Sequence, residues 1–371
     1  MRVSPTITRS AHDIWGTRNS WHGVLVSGTG VDVGQGLAGL RRVAFLLERE
    51  LAPTYRVKAF RTAASVLEGL AAEEVARRVH TATLTDLAGV GPKTSQVFVD
   101  CARGEHSEYL AGLESTDAPD AGGGAQLLAG LRGDLHVHSD WSDGGSPVLE
   151  MAMTAVGLGH DYMALTDHSP TLRVANGLTA ARLREQLAVV ARINAELSPF
   201  RLLTGIEVDI LEDGSLDQDP ELLAQLDVVV ASVHSKLRSP GELMTRRMVT
   251  AIANPNMDVL GHCTGRMVAG GRKRPESDFE ADLVFEACRR FGVAVEINCR
   301  PERLDPPRRL ISQAHEQGCY FSVDTDAHAP GQMGWQAYGC SRAADSGVPA
   351  ARIINTWPVD DMLQWTSNDR D

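Results

Sequence analysis

Several features that would assign a chain to a specialised class of protein are missing from this 371-residue sequence. Its six cysteines include no C-x-x-C pair, so neither a zinc ribbon nor a disulfide framework is indicated. No apolar run approaches the roughly 18 residues of a membrane-spanning helix, and the first 30 residues lack the apolar block of a signal peptide. We therefore expect a cytoplasmic protein with reduced, buried thiols and no membrane partner.

Positive charge is also scarce. The chain holds 36 Lys and Arg against 48 Asp and Glu, a formal net charge of −12, which argues against a generally basic protein that coats nucleic acid or an anionic membrane. Residues 37–115 carry ten basic and ten acidic side chains, so the negative charge lies almost entirely in residues 116–371. An acidic excess there fits a solvated surface, and it also suits a site that binds several metal cations.

The hydrophobic pattern divides the chain into four regions. Residues 1–35 show no period and are expected to be disordered. Residues 36–115 repeat apolar side chains at helical spacing, which predicts a small all-α module. Residues 116–130 contain the Gly-rich stretch TDAPDAGGGA and are expected to form a flexible linker. Residues 131–371 are then a second folded domain.

The segment LTDLAGVGPKTSQVFVDCARG predicts two helices joined by a tight turn. Gly89 and Gly91 would let the backbone approach a phosphate closely, and the amides after Pro92, with the charge of Lys93, would supply donors. Gly89, Gly91 and Lys93 are therefore candidate DNA contacts. An αα turn can also use glycine simply to reverse direction, and because the module is neutral overall, DNA binding is expected to be weak and salt-sensitive.

From residue 131 onward, short β-branched or apolar runs alternate with stretches of helical period. This alternation predicts an α/β fold built of βα units, with a parallel sheet or barrel. The seven predicted strands are residues 134–138, 162–168, 202–210, 228–234, 258–262, 293–298 and 320–328.

Metal-capable side chains follow these runs at their C-terminal ends, which in a parallel barrel open onto one face. His136 and His138 lie two apart on an extended strand and project from the same side. Each imidazole or carboxylate alone could be a half-exposed or buried core residue. Six of the seven strand ends carry such a side chain, however, and so many of them would be costly to bury unless they were paired or bound to metal. The set comprises His136, His138, Asp143, His168, Glu207, His234, His262, Asp326 and His328.

The motifs DLHVHSDWSDG, ALTDHS, GIEVDI, SVHS, GHCTGR and VDTDAH resemble, in order, those of the PHP (polymerase and histidinol phosphatase) domain attached to bacterial family X DNA polymerases. The resemblance implies a distorted seven-stranded βα barrel with a trinuclear metal site. One ion would be held by His136, His138, Glu207 and Asp326. Glu207 would bridge to a second ion held by His234 and His262, and Asp143, His168 and His328 would hold the third. Several phosphatases of the family have histidine at the position of Asp143.

The N-terminal module resembles the same polymerases. YRVKAFRTAASVLEGL is similar to their first helical domain, and LAGVGPKTSQVF is similar to a helix-hairpin-helix. Only the Gly-rich linker stands where their nucleotidyl-transfer domain would be, so we expect no polymerisation.

Clustered divalent cations suit phosphate-ester hydrolysis, because they activate water and neutralise charge on phosphoryl oxygens. Mixed imidazole and carboxylate ligands fit two or three ions of zinc, manganese or iron. We expect Glu207, His234 and Asp326 to be essential for catalysis. Loop cations that follow the motifs could bind the substrate phosphate, although each could equally be a surface residue without a role. These are Arg173, Lys236, Arg266 and Arg300.

Asp134, Asp167, Asp209 and Asp324 lie beside the predicted ligands and could orient them, or could face solvent in loops.

The leading hypothesis is a metal-dependent phosphoesterase acting at DNA ends, as a 3′–5′ exonuclease or a 3′-phosphatase, with the helical module delivering the DNA. One alternative is a small-molecule phosphatase of the histidinol-phosphate type, with the helical module a relic or an oligomerisation surface. Another, of a different class, is a non-catalytic DNA-binding subunit with a structural barrel.

Overall fold

The computed structural model describes residues 30–116, 118–271 and 273–367. The described residues fall into two compact units, one ending at Ala118 and the other beginning at Pro119. None of the helices in these ranges is long and apolar enough to cross a membrane.

The first unit is all-helical, as the spacing of its apolar residues predicts. Its longest helix buries one stripe, formed by Leu40, Val43, Ala44 and Leu47, and ends before Leu51, which is 43% exposed. The helices are α1 (Val33–Arg49), α2 (Thr54–Glu68), α3 (Ala72–Thr81), α4 (Pro92–Ala102) and α5 (Glu108–Glu114).

The expectation of disorder over residues 1–35 concerns mainly residues 1–29, which lie outside the described residues. For the rest of that range the structure differs from the expectation. Val31 and Val33 are buried, and the Asp32 side chain accepts a hydrogen bond from the Gln35 amide, which caps the first turn of α1. This cap starts the helix before residue 36.

Within the stretch expected to form a flexible linker, residues 122–130 are helical. Gly122–Gly124 form a single 3₁₀ turn, and α6 follows at Ala125–Gly130. A Cβ atom on Gly124 would lie 2.3 Å from the carbonyl oxygen of Cys340. At this position glycine allows close packing against α13 of the same unit.

The second unit is built on seven parallel strands that pair in sequence order from β1 to β7. The strands are β1 (Gly133–Val137), β2 (Tyr162–Leu165), β3 (Arg201–Asp209), β4 (Val228–Ser232), β5 (Val259–Leu260), β6 (Ala294–Asn298) and β7 (Phe321–Asp324). The remaining helices are α7 (Val148–Leu158), α8 (Ala180–Leu197), α9 (Pro220–Leu223), α10 (Gly241–Ile252), α11 (Ala281–Phe291), α12 (Arg308–Glu316), α13 (Gln336–Asp345) and α14 (Val359–Ser367).

The first and last strands approach each other, so the sheet is a nearly closed barrel. One parallel bridge joins Val137 to Ala327. Side chains complete the contact between the two strands. Asp324 accepts from the Leu135 amide at 2.8 Å, and Asp134 accepts from the Thr325 amide and hydroxyl at 3.2 and 2.5 Å. Asp134 and Asp324 are therefore buried residues that join the two strands and do not face solvent in loops.

The predicted α/β barrel preceded by a helical module is confirmed. All residues of β1, β2, β4, β6 and β7 are buried, because helices cover the outer face and side chains fill the interior. Since every strand is parallel, all their C-terminal ends lie at the same end of the barrel.

Candidate metal centre

All nine predicted metal ligands come together at the C-terminal end of the barrel. Strand β1 supplies His136 and leads directly into His138, and β3 supplies Glu207. The others follow β1, β2, β4, β5 and β7 in the connecting loops: Asp143, His168, His234, His262, Asp326 and His328.

Glu207 lies at the centre of this cluster and is almost completely buried. Its Oε1 atom is 2.9 Å from His262 Nε2 and 3.3 Å from His234 Nε2. Its Oε2 atom is 2.8 Å from His168 Nδ1 and 3.4 Å from His136 Nε2. One carboxylate thus contacts imidazoles that come from four different parts of the chain.

A second set of contacts surrounds Asp143 and Asp326. Asp143 Oδ1 is 3.3 Å from His328 Nε2 and 3.6 Å from His168 Nε2. Asp326 Oδ1 is 3.5 Å from His138 Nε2. The backbone of Asp326 has φ +53°, in the left-handed region that non-glycine residues rarely adopt. Such strain persists only where the surroundings hold the residue in place, and it is concentrated at functional sites.

Three overlapping groups of these side chains could each hold a cation. In each group one donor atom per residue lies within 4.8 Å of the others. The groups are His138, Asp143, His168 and His328; His136, His138 and Glu207; and His168, Glu207 and His234. His138, His168 and Glu207 each belong to two groups, so neighbouring cations would share ligands.

The chemistry of the donors fits metal ions. Buried imidazole nitrogens of the cluster have no hydrogen-bond partner within the part of the chain that the structure describes: His136 Nε2, His262 Nδ1, and both ring nitrogens of His138 and His234. A buried polar atom without a partner is costly in a folded protein. Unpartnered nitrogens facing carboxylates form a mixed N/O donor set that suits divalent transition metals.

The carboxylates of the cluster are held in their charged form. Burial opposes ionisation of Glu207, but His136, His234 and His168 outweigh it and hold its pKa well below the usual value. Burial likewise opposes ionisation of Asp326, and Arg300, His138 and Arg303 hold its pKa well below the usual range. Both groups are therefore ready to bind a cation near neutral pH.

The imidazoles divide into two kinds. Burial, reinforced by His328 and His168, holds the pKa of His138 well below its usual value, and burial with the charge of Arg303 lowers the pKa of His262 to about 4. Both rings are thus neutral and have a lone pair to offer. Burial would also lower the pKa of His234, but Glu207 and Asp209 outweigh it and raise the value to about 9.

Sequence reasoning missed Glu296, a fully buried carboxylate on β6. Its Oε1 atom is 2.6 Å from His136 Nδ1, and its Oε2 atom accepts from the His262 amide at 2.5 Å. These contacts turn His136 so that Nε2 faces Glu207. The sequence does contain a sign of this residue. Glu296 is a lone acid inside the apolar run AVEIN, and its side chain points to the same side of the strand as that of Asn298, two residues later.

Arg300 is one of the four predicted phosphate-binding cations, and it lies at the cluster. Its guanidinium is 3.6 Å from Asp326 Oδ1 and 3.1 Å from His328 Nδ1. Sequence reasoning did not identify Arg303, whose Nε is 3.2 Å from Asp326 Oδ2. Two guanidinium groups thus flank one predicted ligand.

The other three predicted cations have different surroundings. Arg266 donates to the carbonyl oxygens of Arg303 and Leu304, so its guanidinium joins two loops. Lys236 and Arg173 are exposed in the loops after β4 and β2. Their roles as phosphate-binding residues stay predictions.

Asp167 and Asp209, the other two aspartates beside the predicted ligands, are also buried and hold parts of the site in place. Asp167 accepts from the amide and hydroxyl of Ser139 and from Ser142, which fixes the loop that carries Asp143. Asp209 Oδ1 accepts from the His234 amide at 3.0 Å. Asp167 and Asp209 thus hold in place the loop and the backbone that carry predicted ligands.

The predicted DNA contacts lie at the turn between α3 and α4 in the helical unit. Gly89 has φ +93°, and a Cβ atom there would lie 2.8 Å from Thr62 Cγ2. Gly91 has φ −91°, and a Cβ atom there would meet nothing within 4 Å. Lys93 is exposed, and its Nζ lies 4.5 Å from the centre of the Tyr109 ring. The fold requires glycine at position 89 but not at position 91.

Comparisons with known proteins agree with this arrangement. Residues 134–300 match the PHP domain. The chain is 38% identical over 235 residues to the DNA polymerase/3′-5′ exonuclease PolX of Bacillus subtilis, which covers 63% of this chain and 41% of that protein. It is also 26% identical over 250 residues to a probable phosphatase of Caldanaerobacter subterraneus, covering 64% of this chain and 91% of that protein.

Among solved structures, the histidinol phosphate phosphatase of Lactococcus lactis, complexed with zinc, L-histidinol and phosphate, matches with a TM-score of 0.44 and 18% identity. That match covers 59% of this chain and 94% of that one. The chain spans about two fifths of the length of the Bacillus relative. Residues 134–300 of this chain belong to the PHP family.

Proposed function

We propose that this chain hydrolyses phosphate esters at the ends of DNA, as a 3′–5′ exonuclease or a 3′-phosphatase. The observation that carries the proposal is the convergence of nine imidazole and carboxylate side chains at one end of the barrel, with buried nitrogens that lack partners among the described residues. The broader assignment, a metal-dependent phosphoesterase of the PHP type, is supported in addition by the match of residues 134–300 to the PHP domain.

The cluster would hold two or three divalent ions of zinc, manganese or iron. His136, His138, Glu207 and Asp326 would bind the first, and Glu207, His234 and His262 the second. Asp143, His168 and His328 would bind the third. Bound cations of this kind activate water and stabilise negative charge on phosphoryl oxygens.

The protein's own groups would prepare this chemistry in three ways. Glu296 contacts the ring of His136, and Asp209 accepts from the backbone amide of His234. Arg300 and Arg303 keep Asp326 ionised, and guanidinium groups are suited to phosphoryl oxygens. Neutral His138 and His262 offer lone pairs and add no charge to a crowded site.

The DNA-end substrate is supported by the Bacillus relative, whose name includes 3′-5′ exonuclease, and by the turn between α3 and α4. Gly91 leaves space for an approaching phosphate, because a Cβ atom there would meet nothing within 4 Å and the fold does not require glycine at this position. Lys93 would add a positive charge next to this turn.

A second candidate is hydrolysis of a small phosphate monoester of the histidinol-phosphate type. It is favoured by the probable phosphatase of Caldanaerobacter, because the aligned part of this chain spans 91% of that protein. The barrel unit alone would then be sufficient for activity.

The test compares three full-length chains: wild type, His234→Ala, and His315→Gln as a histidine control on α12 outside the cluster. Each is loaded with manganese and offered a 3′-labelled oligonucleotide and histidinol phosphate. We expect wild type and the control to cleave the oligonucleotide and His234→Ala to be inactive while folded. Activity only on histidinol phosphate would overturn the DNA-end proposal. A metal-loaded wild type without activity on any phosphate ester would favour a non-catalytic DNA-binding subunit.

A further inference from the structure

An open cavity of about 590 Å³ lies in the barrel unit, outside the predicted ligand set. It is formed mainly by the loop after β5 and by the start of α12. Its lining residues are Arg266, Met267, Val268, Lys273, Arg274, Pro275, Glu276 and Arg309. We name this cavity the basic groove.

The basic groove is connected to the metal centre by two contacts. Arg303 lies 3.2 Å from the Asp326 carboxylate, and Arg266 Nε donates to the Arg303 carbonyl at 3.1 Å. The amides of Val268 and Ala269 donate to the Glu302 carbonyl, which joins the groove loop to the loop after β6. The groove and the predicted ligands are therefore linked through the loop after β6.

The charge of the groove is opposite to that of the unit that carries it. Four cations line it against a single carboxylate, Glu276, whereas residues 116–371 hold 23 basic and 36 acidic side chains. Burial, and then the nearby charge of Arg303, lowers the pKa of Arg274, with a further contribution from Arg238. Four cations around one cavity with a single carboxylate among its described lining residues suit the binding of an anion.

The groove also has an apolar component. Met267, Val268 and Pro275 lie among the cations, and Val268 is 38% exposed. A wall that combines cations with apolar side chains suits a nucleotide, whose phosphate is charged and whose sugar and base offer apolar faces. Inorganic phosphate or a compact monoester would use only the cations.

We propose that the basic groove binds the nucleotides next to the one being hydrolysed, so that the enzyme prefers a nucleic-acid strand to a phosphate monoester. The inference rests on the proposed phosphoesterase activity at the adjacent cluster. Lys273 is exposed and would contact the strand's phosphates, whereas Arg266 and Arg274 also hold the loop together. Glu276 contacts both Arg266 and Arg309 and would weaken the binding of the strand.

The experiment measures the binding of a fluorescent, phosphorothioate-linked trinucleotide and of a fluorescent mononucleotide by anisotropy, using the full-length chain. Two variants change the groove charge in opposite directions, Lys273→Gln and Glu276→Gln. Arg192→Gln removes an exposed cation from α8 as a control. Hydrolysis of a small chromogenic phosphate ester is measured in parallel for every variant.

We expect wild type to bind the trinucleotide about tenfold more tightly than the mononucleotide. Lys273→Gln should remove most of that preference and reduce the slope of log K against log salt by about 0.7. Glu276→Gln should increase the preference. The control Arg192→Gln should leave it unchanged. Equal binding of the two ligands by wild type, or equal effects of Lys273→Gln and Arg192→Gln, would overturn the inference.

The parallel assay separates the groove from the proposed function. Loss of the trinucleotide preference with unchanged hydrolysis of the small ester supports the groove. Trinucleotide binding that depends on Lys273, in a protein that hydrolyses no ester, would contradict the proposed function and leave the groove as a nucleic-acid site.

Discussion

At the scale of single residues, Glu296 controls the geometry of the predicted ligands without being one of them. It contacts His136 through one oxygen and the backbone amide of His262 through the other. Because His136 Nδ1 contacts Glu296, Nε2 is left to face Glu207 and any cation beside it. A neutral amide could make both contacts only by donating to His136 Nδ1, which would place the ring proton on Nε2, the atom that faces Glu207 and any cation.

We therefore predict that Glu296→Gln weakens metal binding by about 10- to 100-fold, the usual range for a group that orients a metal-bound histidine. Titration with manganese by calorimetry measures the affinity, and far-UV circular dichroism checks the fold. Excess manganese should restore part of the ester hydrolysis.

Glu286→Gln, which alters an exposed acid paired with Arg289 on α11, is the control and should bind metal normally. Unchanged affinity in Glu296→Gln would show that Glu296 contributes only to packing.

At the scale of elements, the sequence locates all seven strands because buried parallel strands are apolar runs, but it extends some of them too far. The predicted strands 162–168, 228–234 and 320–328 end at Leu165, Ser232 and Asp324, and the side chains beyond those ends lie in loops. The ligands at those ends could be identified for the same reason, as in GHC after β5. Glu296 was missed because it lies inside a strand and not at its end. Arg303 was missed because its ion pair with Asp326 joins two loops that are 23 residues apart in the sequence. The order of residues 122–130 depends on packing against Cys340, which composition alone does not reveal.

The turn between α3 and α4 allows its two glycines to be tested separately. Gly91→Ala should fold normally, because φ is −91° and no atom lies within 4 Å of the new Cβ, but it should bind DNA less tightly. Gly89→Ala should lower the free energy of unfolding by about 1–2 kcal/mol, because it forces alanine into the left-handed region.

Thermal unfolding and electrophoretic mobility shifts at low salt measure these two effects. Gly112→Ala, at a position with open space inside α5 of the same unit, is the control. It should leave DNA binding unchanged and should not lower the free energy of unfolding, because alanine is favoured over glycine in a helix interior. Normal DNA retention by Gly91→Ala would mean that the turn only reverses the chain.

At the scale of the whole molecule, cations would stabilise one unit and leave the other unchanged. The predicted ligands all lie in the unit that begins at Pro119, whereas the helical unit up to Ala118 has its own apolar core. A ligand that binds only the folded state at 100 times its Kd stabilises that state by about 2.7 kcal/mol.

We expect manganese to raise the Tm of the barrel unit by roughly 5–10 °C over the chelated protein, since each kcal/mol corresponds to about 2–4 °C for 150–250 residues. Scanning calorimetry of the full-length chain, with and without chelator, measures the shift. His138→Ala should reduce it to less than half, because His138 belongs to two of the three candidate groups and only the group of His168, Glu207 and His234 is left intact. A shift of equal size in His138→Ala would contradict a metal centre at this cluster.

The spread of the predicted ligands along the sequence has a consequence for the protein during its synthesis. The set begins at His136 and is completed only by Asp326 and His328, so a nascent chain emerging from the ribosome lacks two ligands until most of the barrel has been translated. Partly translated chains and premature truncation products therefore cannot assemble the full centre. Any hydrolysis that depends on the centre can therefore begin only after residue 328 has been translated.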